Sequence, residues 1–178
     1  LLPEEIQKLE NLVLSERNNS LSLTLDAFLF CCYTGLRYSD FTNLSENNIV
    51  RIDNKPWIVF TTKKTGTEVK LPLDLLFDGK AWEMLRKHKR HLERFFKLKP
   101  NSTVNKELMR IGKLAGINKH FSFHSARHTN ATLLIYKGAN ITTVQKLLGH
   151  RNISTTQIYS EVMESTIIKD LKKCAKNK

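Results

Sequence analysis

Cysteine is scarce in this 178-residue chain, and the three that occur do not make a framework. Cys31 and Cys32 are adjacent and Cys174 lies near the end, which gives neither a disulfide scaffold nor the paired spacing of a zinc site. A reducing compartment such as cytosol is the expected home. Proline (4) and glycine (7) are also sparse, and no low-complexity tract, linker or internal repeat interrupts the chain. Long apolar runs are missing: none approaches the roughly 20 residues that a membrane-spanning helix needs. Acidic residues are outnumbered, 17 Asp+Glu against 29 Lys+Arg, for a formal charge of +12 and a pI near 9.7. Such a field attracts a polyanion, and nucleic acid is the first candidate. A hydrophobic fraction of 40% with mean hydropathy −0.35 excludes a disordered basic tail. The length suffices for one domain with its own core. Leu1 opens the chain with no charged-then-apolar leader, so a piece of a longer cytoplasmic protein is expected.

Charge is spread unevenly. Residues 1 to 30 hold five acids and two bases, whereas residues 80 to 120 hold twelve bases and three acids. Leu2-Pro3-Glu4-Glu5 with Ile6, Leu9, Leu12 and Val13 predicts a helix to about Leu14, with proline and acids in its first turn. Leu21 to Tyr33, capped by Asn19 or Ser20 and stopped at Gly35, reads as a buried central helix. After the short segment Arg37 to Leu44 come three strand-like runs, Ile49 to Ile52, Trp57 to Thr62 and Glu68 to Leu71, with turns at 53–56 and around Thr65-Gly66. Helices return from Leu75 through the basic stretch Lys80 to Lys97. They continue at Thr103 to Ala115, Ser122 to Lys137, Thr142 to Leu148 and Ser154 to about Tyr159, with a last amphipathic segment at Val162 to Ala175. The expected fold is mainly α with a small three-stranded antiparallel β-sheet.

His124-Ser125-Ala126-Arg127 sets an imidazole and a guanidinium at i and i+3 near a helix N-terminus, where free N–H groups and the helix dipole favour a phosphate. Gly35-Leu36-Arg37-Tyr38-Ser39-Asp40 places a second arginine just past a helix end, with a carboxylate three residues on that can orient it. Leu147-Leu148-Gly149-His150 adds a histidine past another helix end, and Tyr159 follows nine residues later. Taken singly, each has a bland reading: a surface arginine, a capping turn, a half-buried tyrosine.

Together, Thr34-Gly35-Leu36-Arg37, Lys64-Thr65-Gly66 ahead of Leu71-Pro72-Leu73, His124-Ser125-Ala126-Arg127-His128-Thr129, Leu147-Leu148-Gly149-His150 and Thr155-Thr156-Gln157-Ile158-Tyr159 resemble the tyrosine recombinases of the phage integrase type. The resemblance runs from about Leu2 to Ile168. It implies the integrase catalytic-domain fold across residues 1–178, with the family's N-terminal DNA-clamping, core-binding (SAM-like) domain lying outside this chain. It implies Arg37 as the first catalytic arginine, Lys64 as the hairpin lysine, His124 and Arg127 as the H-x-x-R pair, His150 as a further phosphate contact and Tyr159 as the nucleophile. Asp40 falls where the family often has a supporting acid. Ala126 departs from the usual leucine, a small loss of packing, and Lys63 reads as a flanking DNA contact.

The implied chemistry is physically coherent. Two arginines and a histidine can meet the charge that develops on an attacked phosphodiester; no metal or cofactor is expected. A phenol with an ordinary pKa near 10 needs a base or nearby cations, which His124, Arg127 and Arg37 supply, while Lys64, on a mobile hairpin, protonates the departing 5′ oxygen. His128 reads as a structural hydrogen-bonder, and Tyr33, Tyr38 and Tyr136 as core or helix-end residues. Affinity should come from exposed bases, Arg86, Lys87, Lys89 and Arg90 among them, and from the lysine-rich tail. The implied partners are double-stranded DNA, other copies of the chain as a tetramer, and accessory DNA-bending or directionality proteins; no membrane is involved. The implied location is bacterial cytoplasm, at the nucleoid. A type IB topoisomerase and a non-catalytic helix-turn-helix module spanning Thr142 to Tyr159 are the rival readings.

Overall fold

The computed structural model of the chain describes residues 1–14 and 19–159. A central helix, α2 (Asn19–Thr34), organises the molecule. Its side chains are apolar nearly all round, as a helix enclosed on every side requires, and Phe28, Phe30, Cys31 and Cys32 are fully buried. Around it pack α1 (Pro3–Glu10), α4 (Lys80–Lys87), α6 (Asn101–Leu114) and α7 (Phe123–Tyr136). Phe30 meets Phe41 and Phe95 with ring centroids 5.8 and 5.7 Å apart, and Phe28 meets Phe123 at 6.2 Å. Burying each such ring contributes about 2–3 kcal/mol.

The sheet has the expected order, β1 (Ile49–Ile52), β2 (Lys55–Thr61), β3 (Glu68–Pro72), antiparallel throughout. Ile58 pairs with Ile49 on one side and Leu71 on the other, and Phe60 pairs with Val69. Ile58, Val69 and Leu71 turn inward, the period-2 alternation of a sheet with one face on a core. The first turn is tighter than the sequence suggested. Only Asp53 and Asn54 form it, both with positive φ (49° and 62°), the conformation that matches the twist of flanking strands.

Four other boundaries differ from expectation. The first helix ends at Glu10, with Asn11 as its cap, and Val13 is 93% exposed, so Leu12 and Val13 did not extend a helical face. Asn19 and Ser20 lie within α2 rather than capping it. The basic stretch is not one helix: α4 stops at Lys87, a 3-10 turn covers Lys89–His91, and α5 (Leu92–Phe96) follows. His88 makes the break, its ring lying parallel to Phe95 at 4.2 Å while Nε2 meets the Asp26 carboxylate at 2.8 Å. A tertiary bond to α2 overrides helix propensity there. Residues before α4 are not helical either; Phe77, Asp78 and Gly79 all have positive φ.

Two short helices complete the described chain, α8 (Ile141–Leu148) and α9 (Ser154–Gln157), together with α3 (Tyr38–Phe41) after α2. Ala131, Ile135, Val144, Leu148 and Tyr159 form a small second apolar cluster that seats α8 and the Tyr159 segment on α7. The expected segment Val162 to Ala175 and the lysine tail lie outside the described residues. No helix among those described is long and apolar enough to cross a membrane.

Candidate active site

The site is assembled where three helices end or begin. Gly35 terminates α2 with φ +72°, and a Cβ there would stand 2.6 Å from Leu148 Cδ2 and 2.8 Å from Asn130 Oδ1. Both the backbone conformation and the close approach therefore require glycine. The chain then turns through buried Leu36 so that Arg37 stands at the start of α3. Asp40, 3% exposed, accepts from Arg37 Nη1 at 3.5 Å through Oδ2 and from the Lys63 N–H at 2.9 Å through Oδ1. One carboxylate thus holds both the first arginine and the β2–β3 turn that carries Lys64.

That turn is held elsewhere too. Thr62 and Thr65 hydroxyls are 2.5 Å apart, and Thr65 Oγ1 donates to the Gly149 carbonyl at 3.3 Å. Lys63 and Lys64 themselves are exposed.

Arg127 lies on the first turns of α7 and is 4% exposed. Its Nη1 donates to the Gly35 carbonyl at 2.8 Å and its Nη2 to the Leu148 carbonyl at 2.5 Å. These carbonyls close α2 and α8, where orphan acceptors and the negative end of the helix dipole favour a cation. A guanidinium has five N–H donors, so three remain for a substrate oxygen. Burial, then the neighbouring Arg37, lowers its pKa to about 10, leaving it charged at neutral pH.

His150 follows Gly149, the left-handed cap of α8. Its Nδ1 is 2.8 Å from Thr156 Oγ1 on α9. Burial first, then Arg127, Arg37 and His128, push its pKa down to about 4. With Thr156 as donor, the neutral ring carries its proton on Nε2. His124 keeps part of its surface open to solvent, and partial desolvation of the ring, then Arg127, Arg37 and Lys64, lower its pKa. Each histidine thus feels the same cations, and Lys64 acts on His124 although it comes from the sheet.

Tyr159 is 8% exposed, and its hydroxyl does not meet an arginine or His124 but His128 Nδ1, at 2.9 Å. Burial raises its pKa, while Arg127 and Arg37 pull it down. His128, read from sequence as a structural hydrogen-bonder, is thus the direct partner of the expected nucleophile. Its spacing one turn after His124 was visible; its pairing with a residue 31 positions away was not. The other tyrosines are engaged elsewhere, Tyr33 with Glu10 and Tyr38 with the Lys99 carbonyl at 2.6 Å.

The basic residues expected to contact DNA divide. Arg86 and Lys89 line a groove of about 470 Å³ between α4 and β1, together with Trp82 and Arg51, and Arg51 had gone unremarked in the sequence. Arg90 is exposed and makes no ion pair among the described residues. Lys87 differs: its ammonium is 2.7 Å from the Asp26 carboxylate, so its charge is already matched. Among the described residues no three His, Cys, Asp or Glu side chains converge as metal ligands.

A core that enfolds one apolar helix, with arginines at its C-terminal end and a tyrosine just past the last short helix, defines a class, and comparison with known proteins places the chain in it. Residues 1–165 match the Phage integrase family, to which this chain belongs. Among curated proteins it is 35% identical to a tyrosine recombinase of Pseudothermotoga lettingae over 182 residues, covering 92% of this chain and 56% of that protein. It is 33% identical to tyrosine recombinase XerA of Saccharolobus solfataricus over 172 residues, covering 90% and 54%. The chain therefore spans about half the length of these relatives. The same fold occurs in the crystal structure of XerA recombinase, with TM-score 0.71 and 22% identity over 97% of this chain and 64% of that one. It also occurs in a lambda integrase(75-356) dimer bound to a COC′ core site, with TM-score 0.70 and 23% identity over 89% and 58%.

Proposed function

We propose that this chain is the catalytic domain of a site-specific DNA recombinase that cleaves and rejoins strands through a 3′-phosphotyrosyl link to Tyr159. The observation that carries the reading is geometric: Arg127 bonds the carbonyls of Gly35 and Leu148, two residues before Arg37 and His150, Asp40 ties Arg37 to the turn of Lys64, and Tyr159 meets His128 on the helix that carries His124 and Arg127.

Attack by the phenol oxygen places charge on the non-bridging phosphate oxygens. Arg37 and the remaining donors of Arg127 meet that charge, with His124 and the Nε2–H of His150 as further donors. Because Arg37 is held by Asp40, Arg127 by two helix-end carbonyls and His150 by Thr156, these groups reorganise little in the reaction. Lys64 protonates the departing 5′ oxygen, which a cation on an exposed turn can reach. The phosphotyrosyl bond conserves the energy of the broken link, so a 5′-hydroxyl from another strand can reverse the step without ATP, and strands exchange through a Holliday junction.

Double-stranded DNA is the substrate, held by the mid-chain basic surface, including Arg86, Lys89 and Arg90. A solved relative bound to a core site as a dimer supports assembly on DNA, and recombination of two duplexes calls for four active sites, hence a tetramer. Integration or excision of a mobile element in the cytoplasm is the setting this chemistry suits, with accessory DNA-bending or directionality proteins. An upstream DNA-clamping domain would supply the remaining grip.

The test is incubation with a suicide half-site, whose cleaved end diffuses away, followed by peptide mapping of the adduct. An adduct on Tyr159 in the native chain, with none in Tyr159→Phe despite unchanged DNA binding, is the expected result. An adduct on another residue would overturn it.

A further inference from the structure

Tyr159 Oη lies 2.9 Å from His128 Nδ1, with ring centroids 5.5 Å apart. We infer that His128 is the general base of strand cleavage, taking the phenolic proton directly, a role that deepens the proposed function and rests on Tyr159 being the nucleophile. It replaces the expectation that His124, Arg127 and Arg37 together supply the base.

Geometry makes the case first. A general base must lie within hydrogen-bond reach of the proton it takes, and among the site's histidines His128 is the one bonded to the phenol. The two other rings are committed differently, His150 Nδ1 to Thr156 and His124 edge-on to His128 at 4.6 Å. The surroundings bear on the charge of the ring. The charged and titratable groups that act on His128 are His124, Arg127 and the Leu1 amino group; His150 also feels its charge, and Tyr159 touches it. Among the described residues no carboxylate is one of them. Partial desolvation first, then these neighbours, lower its pKa, which favours the neutral ring; in the tautomer that carries the ring proton on Nε2, Nδ1 offers a lone pair and the phenol donates.

The step balances without any further reagent. The Tyr159 O–H bond breaks and its proton passes to His128 Nδ1; Oη bonds to phosphorus as the P–O5′ bond breaks, and O5′ takes a proton from Lys64. Rejoining is the reverse. An incoming 5′-hydroxyl returns a proton to Lys64, the P–Oη bond breaks, and the imidazolium of His128 reprotonates the phenol. Base and acid thus come from different elements, His128 from α7 and Lys64 from the β2–β3 turn.

The contact could instead merely park the tyrosine away from DNA, and the two roles predict opposite signs. The experiment measures single-turnover cleavage of a suicide half-site, protein in excess, for the native chain, His128→Ala and His128→Asn, with DNA binding measured alongside. The asparagine retains an acceptor near the Nδ1 position but cannot hold a proton. Both variants are expected to bind DNA normally and cleave about a hundredfold or more slowly. Because the His128 pKa is lowered, the native rate should hold through the ordinary imidazole value of about 6.5 and fall only at more acid pH, and the variants should lose that limb. A half-site with a bridging 5′ sulfur, whose thiolate leaves without a proton, should restore cleavage to Lys64→Ala but not to His128→Ala. Native-level or faster cleavage by either His128 variant, or rescue of His128→Ala by the sulfur substrate, overturns the inference while leaving Tyr159 as nucleophile. Failure of the native chain to form an adduct on Tyr159 overturns that nucleophile assignment and this one with it.

Discussion

The arginines of this molecule occupy two contrasting settings. At the meeting of α2, α7 and α8, Arg127 is almost fully enclosed and spends two donors on backbone carbonyls. Along α4 and β1, Arg86 and Arg51 stand at an open groove. The same side chain is an architectural and electrostatic centre in the first case and a solvated point of attraction in the second. A buried guanidinium acts in a low dielectric, where direction and distance count; an exposed one acts through a salt-screened field.

Arg127→Ala should have the largest effect because it breaks both functions of the enclosed site. Two helix-end carbonyls lose their partner, at about 1–3 kcal/mol each, and the transition-state contact proposed for this side chain is lost. Thermal unfolding should shift downward markedly, and cleavage of a trap substrate should fall by more than about a hundredfold. Arg37→Ala separates the two effects: cleavage should fall by about a hundredfold or more, while unfolding moves little, since Asp40 still accepts from the Lys63 N–H. An Arg37→Ala variant as unstable as Arg127→Ala would erase the distinction.

Gly35→Ala comes next, with about 1–3 kcal/mol of backbone strain added to the contact with Leu148, measured by denaturant unfolding. Acid should act on the enclosed region more gently. His150 has a folded pKa near 4, below its ordinary value of about 6.5. Its contribution to stability is therefore complete above about pH 6.5 and is lost as pH falls toward 4. An inorganic phosphate or vanadate ion bound among the arginines should raise that pKa, so binding is accompanied by proton uptake, detectable by calorimetry in buffers of different ionisation enthalpy. Smallest are the open-groove changes. Arg86→Gln or Lys89→Gln should each reduce the salt slope of DNA affinity by about one with cleavage at saturating protein unchanged. Lys87→Gln, already paired with Asp26, should alter it least.

Most of the architecture was readable because its signals are local. Gly35, Gly149 and the Asp53-Asn54 pair mark helix ends and a hairpin by backbone conformation alone, and α2 announces itself by being apolar on every face. The order of Arg37, Lys64, His124, Arg127, His150 and Tyr159 was equally plain in the motifs. What escaped depends on long-range contacts. The break at His88 comes from Asp26, 62 residues away, and nothing in the local pattern distinguishes that histidine from its basic neighbours. The bond between His128 and Tyr159 spans 31 residues and needs the fold to bring α7 and the last turn together. The dual attachment of Arg127 was likewise invisible, since H-x-x-R specifies a face of a helix and not which carbonyls that face will meet.

The carboxylate of Asp40 grips Arg37 with one oxygen and the backbone of Lys63 with the other. In the proposed reaction one of these elements serves the phosphate's non-bridging oxygens and the other its leaving group, so the two move as a single jaw. Their energetic contributions should then be coupled: a double-mutant cycle between Arg37 and Lys64 should depart from additivity, and Asp40→Asn should shrink the departure by loosening the jaw at its pivot.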